Sequence, residues 1–245
     1  MVAAACGVAV CKHGNRKASS TSGSTDVLEE LGIGVELDGP GVARCVGEVG
    51  VGFAFARAFH PAMRHAGPVR AQLGIPSVFN LLGPLSNPAG VQRTVLGVAD
   101  GTRAQLMAET LARREMTHAL VVSGSDGLDE LTLTGPTTVF EVVGGSVERS
   151  EVSPGDVGLT RVDGAELAGG DPAVNADLVR RIFGGETGPR RDLVVLNAAA
   201  GLVVAGVAQD LSSGVAQAGE AIETGAVASV LDKLVLVSGE AAAAG

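Results

Sequence analysis

Aromatic side chains are scarce in this chain: tryptophan and tyrosine are absent, and six phenylalanines supply its 2% aromatic content. An interior built this way must be filled by aliphatic side chains, and few rings remain on which nucleic-acid bases could stack. Cysteine is also sparse. Cys6, Cys11 and Cys45 form an odd set without metal-ligand spacing, which excludes a disulfide scaffold and fits reduced thiols in a cytoplasmic protein. Apolar runs stay short of the roughly 18 residues that span a bilayer, and the apolar start, Met1 to Val10, lacks a basic leader, so no membrane partner is expected. Positive charge is in deficit, with 18 basic against 27 acidic residues and a formal net charge of -9. Diffuse attraction of nucleic acid is thereby disfavoured, and any phosphate site must be a local one.

What is present points to a globular α/β fold. The chain has 245 residues, 46% of them hydrophobic, enough to bury a sizeable core. Continuous apolar runs at Val8 to Cys11, Ser77 to Leu82, Val95 to Ala99, Ala119 to Ser123 and Leu193 to Leu196 suit strands covered on both faces. Helical patterns occupy Thr25 to Leu31, Ala62 to Leu73, Arg103 to Arg114, Ala173 to Phe183 and Leu211 to Lys233. Their alternation predicts a mainly parallel central sheet with helices on both faces, and Thr137 to Val152, broken by Gly144-Gly145, adds a short antiparallel hairpin. One principal domain is expected over residues 1–240, followed by an Ala-rich tail at 241–245.

The most informative stretch runs from Lys12 to Asp26, after an apolar strand and before a helix. Backbone amides freed by Gly14 and Gly23, the hydroxyls of Ser19, Ser20, Thr21, Ser22 and Ser24, and the positive end of the next helix can together replace phosphate hydration. Lys12, Arg16 and Lys17 add charge. These residue types support a phosphate or sugar-phosphate site without saying which ligand uses it.

Two further features invite chemistry. The loop Gly124 to Thr132 leaves the carboxyl end of a buried strand, where open α/β sheets place ligands, and it concentrates Asp126, Asp129 and Glu130. Hard oxygen ligands there suit magnesium (Mg2+) completed by substrate phosphates, although an acidic turn facing water has the same composition. Arg70, on a predicted helix, has the planar fork that grips a carboxylate, but an arginine on a helix is more often a solvated charge or ion pair. The polar residues of Phe79 to Pro88 sit among Gly-Pro and Asn-Pro turns and read as a loop supporting a pocket.

Lys12 to Ser24 followed by Asp26-Val27-Leu28-Glu29 closely resembles the signature loop of anthranilate phosphoribosyltransferases. Phe59 to His65, Pro68-Val69-Arg70, Phe79 to Pro88 and Gly124 to Glu130 resemble the same family's motifs in the same order. The resemblance implies transfer of the 5-phosphoribosyl group from phosphoribosyl pyrophosphate to anthranilate, with release of pyrophosphate, in tryptophan synthesis. It implies that Lys12, His13, Gly14, Asn15, Arg16, Lys17, Ala18, Ser19, Ser20 and Ser24 bind the donor. It further implies that Arg70 holds the anthranilate carboxylate with Asn15 and His13 in the same pocket, and that Asp129 and Glu130, but not Asp126, contact magnesium.

Members of the family are homodimers that carry a Gly-Thr-Gly-Gly-Asp loop ahead of the lysine loop. Only eleven residues precede Lys12 here, and that pattern is not among them. The expectation is a chain without the family's small N-terminal helical domain and the first strand of its large domain. Two other readings of the same fold stand beside this one. A pyrimidine-nucleoside phosphorylase relative is opposed by Arg70 with Asn15, and a non-catalytic nucleic-acid-binding paralogue by the acidic, aromatic-poor composition.

Overall fold

The computed structural model describes residues 1–16, 22–75 and 77–244, with the side chains of residues 70 and 71 outside that description. A short helix α1 (Val2–Ala5) leads into strand β1 (Val10–Gly14), and helices α2 (Ser24–Glu30) and α3 (Gly39–Val49) carry the chain to β2 (Val51–Phe55). The two strands pair in parallel, with Val10 opposite Val51 and Gly14 opposite Phe55. Helices α4 (Ala56–Phe59), α5 (Met63–Leu73) and α6 (Phe79–Leu82) precede β3 (Arg93–Gly97), and α7 (Ala104–Arg113) crosses over to β4 (His118–Gly124), parallel to β3. Strands β5 (Thr137–Val143) and β6 (Ser146–Val152) extend this sheet antiparallel, in the order β3-β4-β5-β6. Helices α8 (Gly164–Leu167), α9 (Pro172–Phe183), α10 (Pro189–Ala205), α11 (Leu211–Glu223) and α12 (Ala226–Ala244) complete the chain.

Local chemistry sets most of these boundaries. Asp38, Asp171 and Asp210 cap α3, α9 and α11 by accepting the backbone N–H of Gly41, Val174 and Ser213. Each satisfies a donor that the first helical turn leaves free. Pro172 and Pro189 occupy first-turn positions, where a missing N–H costs nothing.

The four-stranded sheet explains why β4 reads as an uninterrupted apolar run. Ala119 and Val121 face α7 together with Phe140 and Val142, packing on Ala104, Met107, Ala108 and Leu111. Leu120 and Val122 face the other way, with Val139, Leu131 and Leu133, onto Leu196, Ala200 and Val204 of α10. Both faces are therefore dry, as the sequence pattern requires. A third cluster joins β1 and β2 to the helices around them, among them α1, α3, α11 and α12.

The α/β class and the hairpin match the sequence expectation, and the strands lie in mixed sheets. Among the described residues parallel pairing is confined to β1-β2 and β3-β4, because β5 already runs antiparallel to β4. Two expected strands are helices. Ser77 to Leu82 forms the turn leading into α6, and Leu193 to Leu196 lies inside α10, where the apolar run is one side of a buried helix; a short apolar run does not distinguish the two. The single helix expected over Leu211 to Lys233 is two, divided at Gly225, whose φ of 75° ends α11. The alanines at 241–244 are no separate tail, since they continue α12 and Ala241 packs on the third cluster. Cys6, Cys11 and Cys45 are free thiols. Among the described residues no helix is long and apolar enough to cross a membrane.

One contact ties the sheet to the loop that follows β4. Gly97, at the end of β3, lies so close to the Asp129 carbonyl that a Cβ there would overlap it. Gly97→Ala must displace either the strand end or the loop, and overpacking of this kind costs about 1–3 kcal/mol. Urea denaturation of the variant should show a lower midpoint with an unchanged slope.

Candidate active site at the strand ends

Strand β1 delivers Lys12, His13 and Gly14 to its carboxyl end, with Lys12 exposed and His13 half-buried. Ser24, which opens α2, returns to this point: a Cβ on Gly14 would stand 3.3 Å from Ser24 Oγ. The turn segment after α6 supports the strand from the side, as its Asn87 Nδ2 donates to the Cys11 carbonyl at 3.0 Å. His13 meets His60, which follows α4, with 3.1 Å between their Nε2 atoms and the rings edge to face. Burial first, then the neighbouring His60 and the Lys12 ammonium, hold the His13 pKa below the ordinary histidine value. The shift favours the neutral imidazole of His13.

Beyond Gly14, Asn15 Oδ1 accepts the Arg16 backbone N–H at 2.9 Å. The Arg16 guanidinium turns away from the strand end, pairing with Glu29 at 2.5 Å and Glu36 at 3.0 Å and lying 4.8 Å from the centre of the Phe55 ring. Its charge, expected at a phosphate, is committed to two carboxylates in this arrangement. Lys17, Ala18, Ser19 and Ser20 lie outside the described residues. So does the side chain of Arg70, whose backbone sits in α5 three residues before the end of that helix.

The loop after β4 is held by two sets of hydrogen bonds. Asp126 accepts from Thr132 Oγ1 at 2.5 Å, Thr134 Oγ1 at 2.7 Å and the Leu128 N–H at 3.1 Å. Those donors keep its carboxyl below the usual range despite desolvation, the largest influence acting the other way. Asp126 thus holds the turn of this loop together. Asn197, from the middle of α10, brackets Leu131: its Oδ1 accepts the Leu131 N–H and its Nδ2 donates to the Leu131 carbonyl, both at 2.9 Å. A third bond, from Nδ2 to the Leu193 carbonyl at 3.1 Å, fixes the amide on its own helix.

Asp129 and Glu130 stand just before this bracket, both solvent-accessible. Desolvation by the protein around Glu130 and the adjoining Asp129 carboxylate push the Glu130 carboxyl above its usual range, while Lys12 pulls it down. That last influence places the β1 lysine within electrostatic reach of the β4 loop. Among the described residues no group of three or more His, Cys, Asp or Glu side chains could hold a metal. Two crowded carboxylates with hard oxygen donors nevertheless fit a cation that takes the rest of its shell from water and phosphate.

Sequence reasoning missed Asn197. The signal available for it was a lone amide in the apolar run Leu193 to Ala200, where an unpaired polar group would be costly and a partner was therefore to be expected.

Residues 1–228 match the model of the glycosyl transferase family, a/b domain. A relative from Chloroflexus aggregans named anthranilate phosphoribosyltransferase is 54% identical over 98% of this chain and 72% of its own length. The chain belongs to the anthranilate phosphoribosyltransferase family. A Roseiflexus castenholzii relative of the same name is 52% identical over 97% of this chain and 70% of its own length. In three dimensions the chain is similar to the anthranilate phosphoribosyltransferase of Thermus thermophilus, with a TM-score of 0.91 at 48% identity over 97% of this chain and 70% of that one. The Saccharomyces cerevisiae enzyme in complex with PRPP and Mg is similar with a TM-score of 0.88 at 26% identity, over 98% and 68% of the two chains. Relatives about half identical that share one name favour that activity over the phosphorylase and nucleic-acid-binding readings.

Asn197→Ala should loosen the loop of this family member. It leaves the N–H and carbonyl of a buried Leu131 without partners, at about 1–3 kcal/mol for each group so exposed. Thermal or urea unfolding would read the loss. Asn197→Asp, which keeps the acceptor and replaces the donor, should be at least as damaging.

Proposed function

We propose that this chain binds phosphoribosyl pyrophosphate with magnesium across the ends of β1 and β4 and transfers its 5-phosphoribosyl group to the amino group of anthranilate, releasing pyrophosphate. What supports the reading is that Lys12, from β1, lies within electrostatic reach of Glu130, which adjoins Asp129 in the loop after β4. Lys12 and the backbone amides near Gly14 hold donor phosphates, with Ser24 closing the turn. Magnesium bound between Asp129, Glu130 and the donor would offset the negative charge that develops on pyrophosphate as it leaves.

The acceptor needs less. An aromatic amine is neutral near pH 7 and already nucleophilic, so orientation carries much of the rate. The Arg70 guanidinium suits the anthranilate carboxylate through two parallel hydrogen bonds, and Asn15 offers an amide beside the amine. His13, whose pKa burial, His60 and Lys12 hold below the ordinary histidine value, is suited to take up the proton the amine releases after attack.

Calorimetry with phosphoribosyl pyrophosphate, with and without magnesium, tests the donor site. The wild-type chain should bind the donor more tightly with the metal, and replacing both Asp129 and Glu130 by alanine should erase that difference. Equal magnesium dependence in the double variant would remove the two carboxylates from the metal site.

The acceptor site is tested by Arg70→Lys, which keeps the charge and loses the fork. Anthranilate affinity should fall roughly tenfold to 150-fold, the equivalent of about 1.5–3 kcal/mol for a charge-assisted bond, while donor binding is unchanged. Titration of anthranilate fluorescence in the presence of donor and metal gives the comparison. Weakened donor binding with unchanged anthranilate binding would instead place Arg70 at the phosphates.

A further inference from the structure

A second concavity, of about 520 Å³, opens on the face of the four-stranded sheet that α7 covers. It exists because α7 begins at Ala104, so its apolar side covers Val121 and Phe140 but stops short of the next pair in register, Ser123 and Thr138. Gly101, Thr102, Ser123, Ser125, Thr138 and Arg149 form its walls, with Phe140 beneath.

The hydroxyls in this region divide into two groups. Thr102 donates to Asp100, and Thr132 and Thr134 donate to Asp126, while Thr137 Oγ1 accepts the Thr132 N–H. Ser123, Ser125 and Thr138, which line the cleft with Thr102, have no side-chain hydrogen bond among the described residues. Ser123 is only 6% exposed and lines the cleft, so the cleft is where its hydroxyl has room for a partner. Its Oγ is directed at the Gly101 wall, where a Cβ would lie 3.1 Å away, so glycine leaves the space in front of the hydroxyl open. Arg149, opposite Phe140 on β6, adds a guanidinium with no ion pair among the described residues.

We propose that this cleft binds the phosphate group of a small phosphorylated molecule, held by the Ser123, Ser125 and Thr138 hydroxyls and by Arg149. Three hydroxyl donors and a guanidinium meeting from different walls suit a tetrahedral anion with acceptors on every side. The nearby acids leave room for one such group. Asp100 is engaged by Thr102 and Arg103, and Asp126 by its own loop, whereas Glu151 stands opposite Thr138 at the rim and disfavours a polyphosphate. The site is thereby distinct in chemistry from the β1 and β4 ends, where a lysine and a carboxylate pair suit a diphosphate with a metal.

Residue-resolved amide spectra of the isotope-labelled chain separate the two places. Titration with inorganic phosphate should give saturable shifts at Gly101, Thr102 and Ser125, and ribose 5-phosphate in a second titration should move the same signals. Tighter binding of the sugar phosphate identifies an organic ester as the occupant, and equal binding identifies free phosphate. Ser123→Ala and the surface change Arg149→Ala should each weaken these shifts, the latter by about tenfold or more for the loss of a charge-assisted contact. Signals from Gly14 and Asn15 should respond in both variants as in the wild type. The proposal is overturned if phosphate leaves Gly101, Thr102 and Ser125 unmoved, or if their shifts persist at wild-type affinity in Arg149→Ala with the remaining spectrum intact.

Discussion

The amide bracket between Asn197 and Leu131 is the constraint on which the geometry of the loop after β4 depends. Leu131 is buried among the side chains that join the sheet to α10, so its backbone N–H and carbonyl have no water to turn to. A side-chain amide presents one donor and one acceptor at the spacing a peptide group requires, and Asn197 uses both. Because α10 is pinned against β3 and β4 by its own apolar face, the bracket transfers the rigidity of the core to the two residues just before Leu131. The close approach of Asp129 to Gly97 and the turn built on Asp126 fix the same loop from two more directions.

Electrostatics makes sense of an acidic protein that handles anions. The formal charge of -9 gives no general attraction for phosphates, so cationic and hydroxyl donors must be concentrated where they act. At the end of β1 this means Lys12, set beside His13, whose pKa burial and the neighbouring His60 hold below the ordinary value. In the loop after β4 the Asp129 carboxylate and desolvation raise the Glu130 carboxyl, and Lys12 acts against them. Arg16 shows the opposite solution: its charge is absorbed by Glu29 and Glu36, and it fastens the segment after β1 to α2.

The α/β class, the hairpin and the family were legible in the residues themselves. Patterns at Thr25 to Leu31, Arg103 to Arg114 and Ala173 to Phe183 correspond to α2, α7 and α9 within a residue or two, because aspartate caps, first-turn prolines and apolar periodicity are local signals. Failures fell where local information is ambiguous. Leu193 to Leu196 is equally apolar as strand or helix, and only its position beneath the sheet decided for helix. Helix α3 and strand β2 went unread for a related reason: their glycine-rich sequences earn their places by packing against one another.

The candidate site divides along the same line. Sequence alone determined the chemistry on offer, a lysine, histidine and hydroxyl loop, a carboxylate pair and an arginine, since residue types and their order survive without coordinates. Which of these meet was decided by tertiary structure. Lys12 and Glu130 are separated by more than a hundred residues and come within electrostatic reach only through the fold. His13 finds His60, Arg16 is drawn to Glu29 and Glu36, and Ser123 is left facing open space where α7 begins one turn too late to cover it. Side-chain reach spans a few ångströms, whereas separation along the chain places no limit on closeness in space, so the partner of each group is a property of the fold.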